Sequence, residues 1–194
     1  MKTTQLLTIL LTLSFLQSHS LNAQSSNVKD YKVTVKGTST VHDWESNVEK
    51  IECKASYKIE DDELVDIKDA TLKISVESIK STKGKVMDHK TYDAFNSEKF
   101  PFITFILRSE EINTTNLTVN LKGTLEMAGV TKLVDLVARY KVLTNGGLQI
   151  IGIKKIKMTE FNMEPPKAMM GTIKVGDEVT ISFDIVLSST DTIL

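Results

Sequence analysis

The sequence has 194 residues, a soft prior of one domain around one core. Its 25 acidic and 24 basic side chains nearly cancel, and only Arg108 and Arg139 are arginine, so it has neither the basic field nor the guanidinium forks expected of a nucleic-acid binder. A hydrophobic fraction of 41% allows a sizeable core, while the single cysteine, Cys53, excludes an intrachain disulfide framework and a multi-thiolate metal site.

Lys2 followed by the apolar run Leu6 to Leu16 and then by polar and small residues reads as a signal peptide. The run is too short to span a membrane, which takes about 20 apolar residues. Cleavage is expected after Ala23, with Ser20 as the competing site, leaving an exported domain over residues 24–194 with no transmembrane segment.

Alternation of apolar with polar side chains dominates the rest of the chain, which predicts an all-β fold. In chain order the expected strands are Tyr31 to Gly37, Trp44 to Ile59, Leu64 to Ile79, Phe102 to Leu107, Leu117 to Met127, Lys132 to Leu143, Leu148 to Met158 and Val179 to Leu187. One short helix is expected at Met87 to Phe95, before the Phe100-Pro101 start of the fourth strand. Asn145-Gly146-Gly147 supplies residues that tolerate positive φ in a tight turn, joining the sixth and seventh strands as a hairpin. Lys154-Lys155 breaks the alternation between Ile153 and Ile156, which suggests a β-bulge. Eight antiparallel strands can stack as a sandwich or close as a barrel. Their length favours a barrel, and eight strands enclose room for one small ligand.

Catalytic patterns are missing: there is no phosphate-cradling glycine loop, no G-x-S-x-G elbow and no H-E-x-x-H pair. The chain is therefore read as a non-enzyme with no cofactor and no metal. His42-Asp43 and Asp88-His89 are weighed as a metal cluster and read instead as turn and capping residues. Asp61-Asp62 and Glu110-Glu111 read as solvated loop carboxylates, and Cys53 as a small core hydrophobe. Tyr92, Phe95, Phe100, Phe102 and Phe105 crowd into fourteen residues, either as a lid or wall over an apolar pocket or as a plug of one barrel end.

Four segments in the right order resemble the YceI-like family of secreted or periplasmic proteins. They are Val35-Lys36-Gly37-Thr38-Ser39-Thr40-Val41-His42-Asp43-Trp44, Glu98-Lys99-Phe100-Pro101-Phe102-Ile103-Thr104-Phe105, Lys122-Gly123-Thr124-Leu125-Glu126-Met127-Ala128-Gly129-Val130-Thr131, and Phe161-Asn162-Met163-Glu164-Pro165-Pro166 with Gly176-Asp177-Glu178-Val179. The resemblance implies a single lipocalin-like antiparallel barrel of eight strands with one short helix, exported to the periplasm or beyond. It also implies non-enzymatic binding, sequestration or transport of a long apolar isoprenoid, a quinone or polyprenyl lipid. The family's "R-D-x-H-L" segment is represented here by Met87-Asp88-His89-Lys90-Thr91, so Asp88 is the head-group contact that the resemblance supplies. The expected lining is Val33, Val35, Trp44, Leu72, Ile74, Val76, Tyr92, Phe95, Phe102, Phe105, Phe161 and Phe183. The competing reading is a structural or protein-interaction module whose barrel is filled by its own side chains; a homodimer is left open.

Overall fold

The computed structural model describes residues 25–189. The expected leader, residues 1–23, and the end of the polar tail, residues 190–192, lie outside the described residues. The chain runs β1 (Ser25–Ser39), β2 (Trp44–Val48), β3 (Ile51–Glu60), β4 (Glu63–Ser75), β5 (Ile79–Ser81), α1 (Lys85–Phe95), β6 (Phe102–Asn113), β7 (Thr118–Met127), β8 (Val130–Val142), β9 (Leu148–Lys157), β10 (Lys167–Ala168) and β11 (Ile173–Leu187).

All barrel pairings are antiparallel, in the order β11-β9-β8-β7-β6-β4-β3-β1, and β1 pairs back onto β11 to close the ring. The fold is a closed eight-stranded antiparallel barrel with a single helix. Two of its staves are interrupted, and the short β10 pairs with the start of β11 outside the ring, which is why eight expected strands become eleven. Ser25 lies opposite Ser56 and Thr34 opposite Asn47, so β2 and β3 keep one register along β1 and form one broken stave. The expected strand Trp44 to Ile59 is therefore split at Glu49-Lys50, where Tyr31 donates its hydroxyl to the Glu49 carbonyl at 2.6 Å. The expected strand Leu64 to Ile79 is likewise split into β4 and β5 by a 3-10 turn at Val76–Ser78.

Two-residue hairpins close with positive φ where the sequence allows it: Asp61 and Asp62 at 49° and 63°, Ala128 and Gly129 at 50° and 77°. Asp61-Asp62 is thus an exposed turn, whereas Glu110 and Glu111 stand inside β6, not in the loop expected for them. The bulge expected at Lys154-Lys155 is absent. β9 runs against β11 without a register shift from Glu178↔Lys157 to Leu187↔Leu148, so the alternation continues with Lys154 on the inward side and Ile151 and Ile153 outward. A lysine at an inward position leaves the phase of β9 unbroken.

The two ends of the barrel differ. At one end Leu64, Ile67, Val119, Leu148 and Leu187 are fully buried and pack the interior shut. Tyr57 reinforces this closure: its hydroxyl donates to the Ser188 carbonyl at 2.7 Å, with the Gly146 carbonyl at 2.9 Å, tying β3 to the end of β11 and the β8–β9 turn. The other end carries the β1–β2 loop, α1 and the segment between β9 and β11.

Candidate functional site

Two apolar cavities of about 160 Å³ and about 90 Å³ lie within the barrel. Val35, Ile79, Ile103, Met127 and Ile181 border both, so the cavities are stacked and share one waist. The larger one rests on Ile67, above the packed end. The smaller one lies under α1, and its wall includes Trp44, Met158, Met163 and Pro166.

Helix α1 begins after Gly84, whose φ of 93° suits glycine, and ends at Asn96 in the left-handed region with its N–H on the Asp93 carbonyl. Met87, Lys90, Thr91, Ala94 and Phe95 border the upper cavity. Their spacing of three, four, seven and eight residues is that of one helix face, so a single stripe of α1 roofs the barrel. That periodicity was available in the sequence and would have found Met87, Lys90 and Ala94.

Large aromatic side chains line the lumen yet leave it open because glycines face them across the strands. Phe183 pairs with Gly152, and a Cβ on Gly152 would sit 2.4 Å from the Phe183 ring. Phe105 lies over Gly123 at the same 2.4 Å. With no side chain beneath, each ring lies along the wall instead of crossing the barrel. Trp44 repeats the device near the rim. It pairs with Gly37, covers it with its indole, and donates Nε1–H to the Thr38 carbonyl at 3.2 Å.

Eight of the twelve expected lining residues border a cavity: Val33, Val35, Leu72, Ile74, Phe105 and Phe183 along the larger one, Trp44 and Phe95 at the smaller, with Val35 shared. Four do not. Val76 is buried in the 3-10 turn between β4 and β5, behind the wall. Tyr92 turns away on α1, donates to the Glu77 carbonyl at 2.8 Å and receives the Lys80 ammonium at 2.5 Å. Phe102 faces outward, 43% exposed, with the Lys73 ammonium 3.7 Å from its ring centre. Phe161 is buried in the 3-10 turn Met158–Phe161, with Lys132 over its outer face. The expected aromatic cluster is therefore dispersed: Phe95 and Phe105 face the lumen, while Phe100 packs on Gly129 in the β7–β8 turn.

Asp88 is not at the cavity surface. It is buried and accepts the Ser81 N–H through Oδ1 at 2.6 Å, fixing the first turn of α1 to β5, which is a structural role in place of the head-group contact. Among charged side chains, Lys90 borders the upper cavity and Lys154 the lower, where its Nζ donates to the Asp135 carbonyl at 2.8 Å. Among the described residues no carboxylate borders either cavity. Burial pushes the Cys53 thiol, also on the lumen wall, up to about 11, which keeps it protonated and non-nucleophilic at neutral pH. His42 contacts the Asp43 carbonyl and His89 packs edge-on against Tyr92. Among the described residues no group of three or more His, Cys, Asp or Glu could hold a metal ion, and no helix is long and apolar enough to cross a membrane.

Comparison with solved structures finds the same fold in proteins of low identity. BcnA of Burkholderia cenocepacia shares 22% identity with a TM-score of 0.66, over 80% of this chain and 95% of that one. A polyisoprenoid binding domain from Saccharophagus degradans, implicated in plant cell wall breakdown, shares 13% with a TM-score of 0.67, over 86% and 99%. The YceI protein of Campylobacter jejuni shares 20% with a TM-score of 0.53, over 85% and 84%. Comparison with curated proteins finds no match. The family model of the YceI-like domain matches residues 18–187, a span that includes every strand of the barrel, and the chain belongs to that family.

Proposed function

We propose that this protein, exported and trimmed of its leader, is a non-enzymatic carrier that holds the tail of an isoprenoid lipid, of the quinone or polyprenyl type, inside the barrel. The observation that carries this reading is the pair of stacked apolar cavities, kept open by aromatic rings lying over glycines and shut at one end. The larger cavity is comparable with engineered apolar cavities of about 150 Å³ that stay dry and take up benzene. Family membership and the polyisoprenoid binding domain among its structural neighbours support the ligand class.

Burial supplies the energy. At about 0.8 kcal/mol per CH₂, one five-carbon isoprene unit is worth about 4 kcal/mol. That only matches the low end of the cost of association, about 4–15 kcal/mol, so tight binding requires several units in the lumen. With lysines as the charged wall residues, a head group bearing acceptor oxygens suits Lys90 at the roof better than a cationic one. The competing module with a filled barrel finds no support in an interior that contains two cavities.

Trp44 is the sole tryptophan and borders the upper cavity, so its fluorescence reports occupancy. Titration with a short-chain ubiquinone or with farnesol is expected to give a saturable change, and organic extraction of the protein from its native envelope is expected to yield an isoprenoid by mass spectrometry. No saturation and no extracted lipid would defeat the proposal.

A further inference from the structure

Ser46 is an odd residue for the lumen wall. β2 turns Trp44, Ser46 and Val48 inwards, and the first two border the smaller cavity. Across the ladders Ser46 faces Val35 on β1 and Ser81 on β5, which border the same cavity. It is only 2% exposed, yet among the described residues its hydroxyl has no hydrogen-bond partner. A buried hydroxyl without a partner is costly, and alanine or valine would complete the wall without that cost. Serine finds its use here in a partner that enters the cavity.

The groups around it are donors. Ser81 Oγ accepts the Lys83 N–H at 3.1 Å and keeps its own proton to give. Asp88 takes the Ser81 N–H at 2.6 Å and so holds α1 against β5, which sets Lys90, two residues further on and half-buried, in the roof of the cavity that Ser46 lines. Among the described residues the Lys90 ammonium has no ion pair. Thr91 on the same wall is already committed, its hydroxyl donating to the Met87 carbonyl at 3.2 Å.

The larger cavity offers no equivalent. The Lys154 ammonium is held by the Asp135 carbonyl, Thr71 is exposed, and the Cys53 thiol is a weak donor. A ligand with one polar end is thereby oriented, head in the smaller cavity and tail through the waist into the larger.

The charge of that end follows from the cations available to it. Lys90 is the one cation bordering the smaller cavity, and neither Arg108 nor Arg139 borders a cavity. A diphosphate carries several negative charges, which a single ammonium on an otherwise apolar wall leaves uncompensated. A carbonyl or hydroxyl oxygen needs only the donors that are present.

We propose that the smaller cavity is a head-group pocket for an uncharged oxygen acceptor, a carbonyl or hydroxyl at the end of an isoprenoid chain, and that Ser46 and Lys90 are the donors that select it. The pocket rests on the carrier reading and specifies which end of the lipid is recognised, and by what.

Paired ligands test it. Farnesol and farnesene share a chain and differ in the oxygen, so the ratio of their affinities, measured on one protein by Trp44 fluorescence, reads the contacts of the oxygen and cancels effects of a variant on folding or cavity shape. Ser46→Ala is expected to lower that ratio about three- to tenfold, the range of one neutral hydrogen bond, and Lys90→Met to lower it by at least as much. The ratio for a short-chain ubiquinone against farnesene, taken alongside, identifies the source of the oxygen: a fall for the quinone marks a carbonyl and a fall for farnesol a hydroxyl, and either supports the pocket. Farnesyl diphosphate is expected to bind at least about tenfold more weakly than farnesol.

The pocket is overturned if either variant keeps both wild-type ratios, or if farnesyl diphosphate binds as tightly as farnesol. The carrier reading survives those results as long as wild type takes up the neutral chains. Failure of wild type to bind farnesol, farnesene and the quinone alike would remove the carrier reading, and the pocket with it.

Discussion

Gly152 controls how much of the lumen is empty. A methyl group there would stand 2.4 Å from the Phe183 ring, closer than any real Cβ contact, so the ring must swing off the wall and into the cavity. Gly152→Ala is expected to lower isoprenoid affinity at least about tenfold by calorimetry while the barrel stays folded, with a loss of stability of about 1–3 kcal/mol from overpacking. Residues of this kind were only half legible in the sequence. Alternation groups Val33 with Val35, Leu72 with Ile74, and Phe183 with Ile181 and Ile185 on one face each, because parity along a strand is a local property, and these residues border the lumen. Tyr92, Phe102 and Phe161 escaped because hydrophobicity alone does not say on which side of a helix, strand or turn a ring stands. Lys154 differs for another reason: two successive lysines read as a break in alternation, yet the aliphatic stem of Lys154 borders the lumen while its ammonium reaches the Asp135 carbonyl.

Among the strands, β6 is the one whose course the sequence concealed. It was expected to stop at Leu107, yet it runs on to Asn113 after a register shift between Leu107 and Ser109 that brings Glu110 opposite Leu121. Past that shift β6 pairs with β7, while its ladder with β4 covers only Thr71↔Ile106 to Ser75↔Phe102. A side-chain hydrogen bond between Glu110 and Asp66 crosses the unpaired stretch; burial first, then that bond and the negative charge of Asp66, hold the Glu110 carboxyl above its usual range. A raised carboxyl pKa means the folded state binds a proton more tightly than the unfolded chain does. Its contribution to stability is therefore present in acid and is lost as pH rises through the raised value. Wild type is expected to lose part of its thermal stability as the pH climbs out of the usual carboxylate range, and Glu110→Gln, which keeps a hydrogen-bonding side chain without the charge, to lack that part of the decline. Thermal melts across pH on the two proteins check this; parallel curves would refute it. At the breaks in the β2/β3 and β4/β5 staves the inward parity changes, from Trp44 and Val48 to Cys53 and Ala55 and from Leu72 and Ile74 to Ile79, a shift that apolar residues spread along one long run do not reveal.

For the whole molecule, the all-β class and the single helix were legible in alternating patterns and in turn residues such as Ala128-Gly129 and Asn145-Gly146-Gly147, while closure into a barrel was favoured by strand length and implied by the family resemblance. Hollowness was not legible, because a filled and an empty barrel share one pattern of inward residues and differ in where the rings lie. Occupancy should register globally, since a ligand that binds only the folded state stabilises it by mass action. At a hundredfold excess over Kd the gain is about 2.7 kcal/mol. For a chain of this size that corresponds to a rise in Tm of about 5–11 °C. Differential scanning calorimetry with and without a short-chain ubiquinone is expected to show it, and an unchanged Tm at saturating ligand would count against a site inside the barrel.

The packed floor of Leu64, Ile67, Val119, Leu148 and Leu187 has a further consequence. On the proposed carrier role, a sleeve blind at one end would be loaded tail-first and emptied head-first through the same doorway, and could not serve as a conduit joining two membranes at once. Traffic between them would require the protein to let go, turn over and present the same face to the acceptor, one cargo per journey.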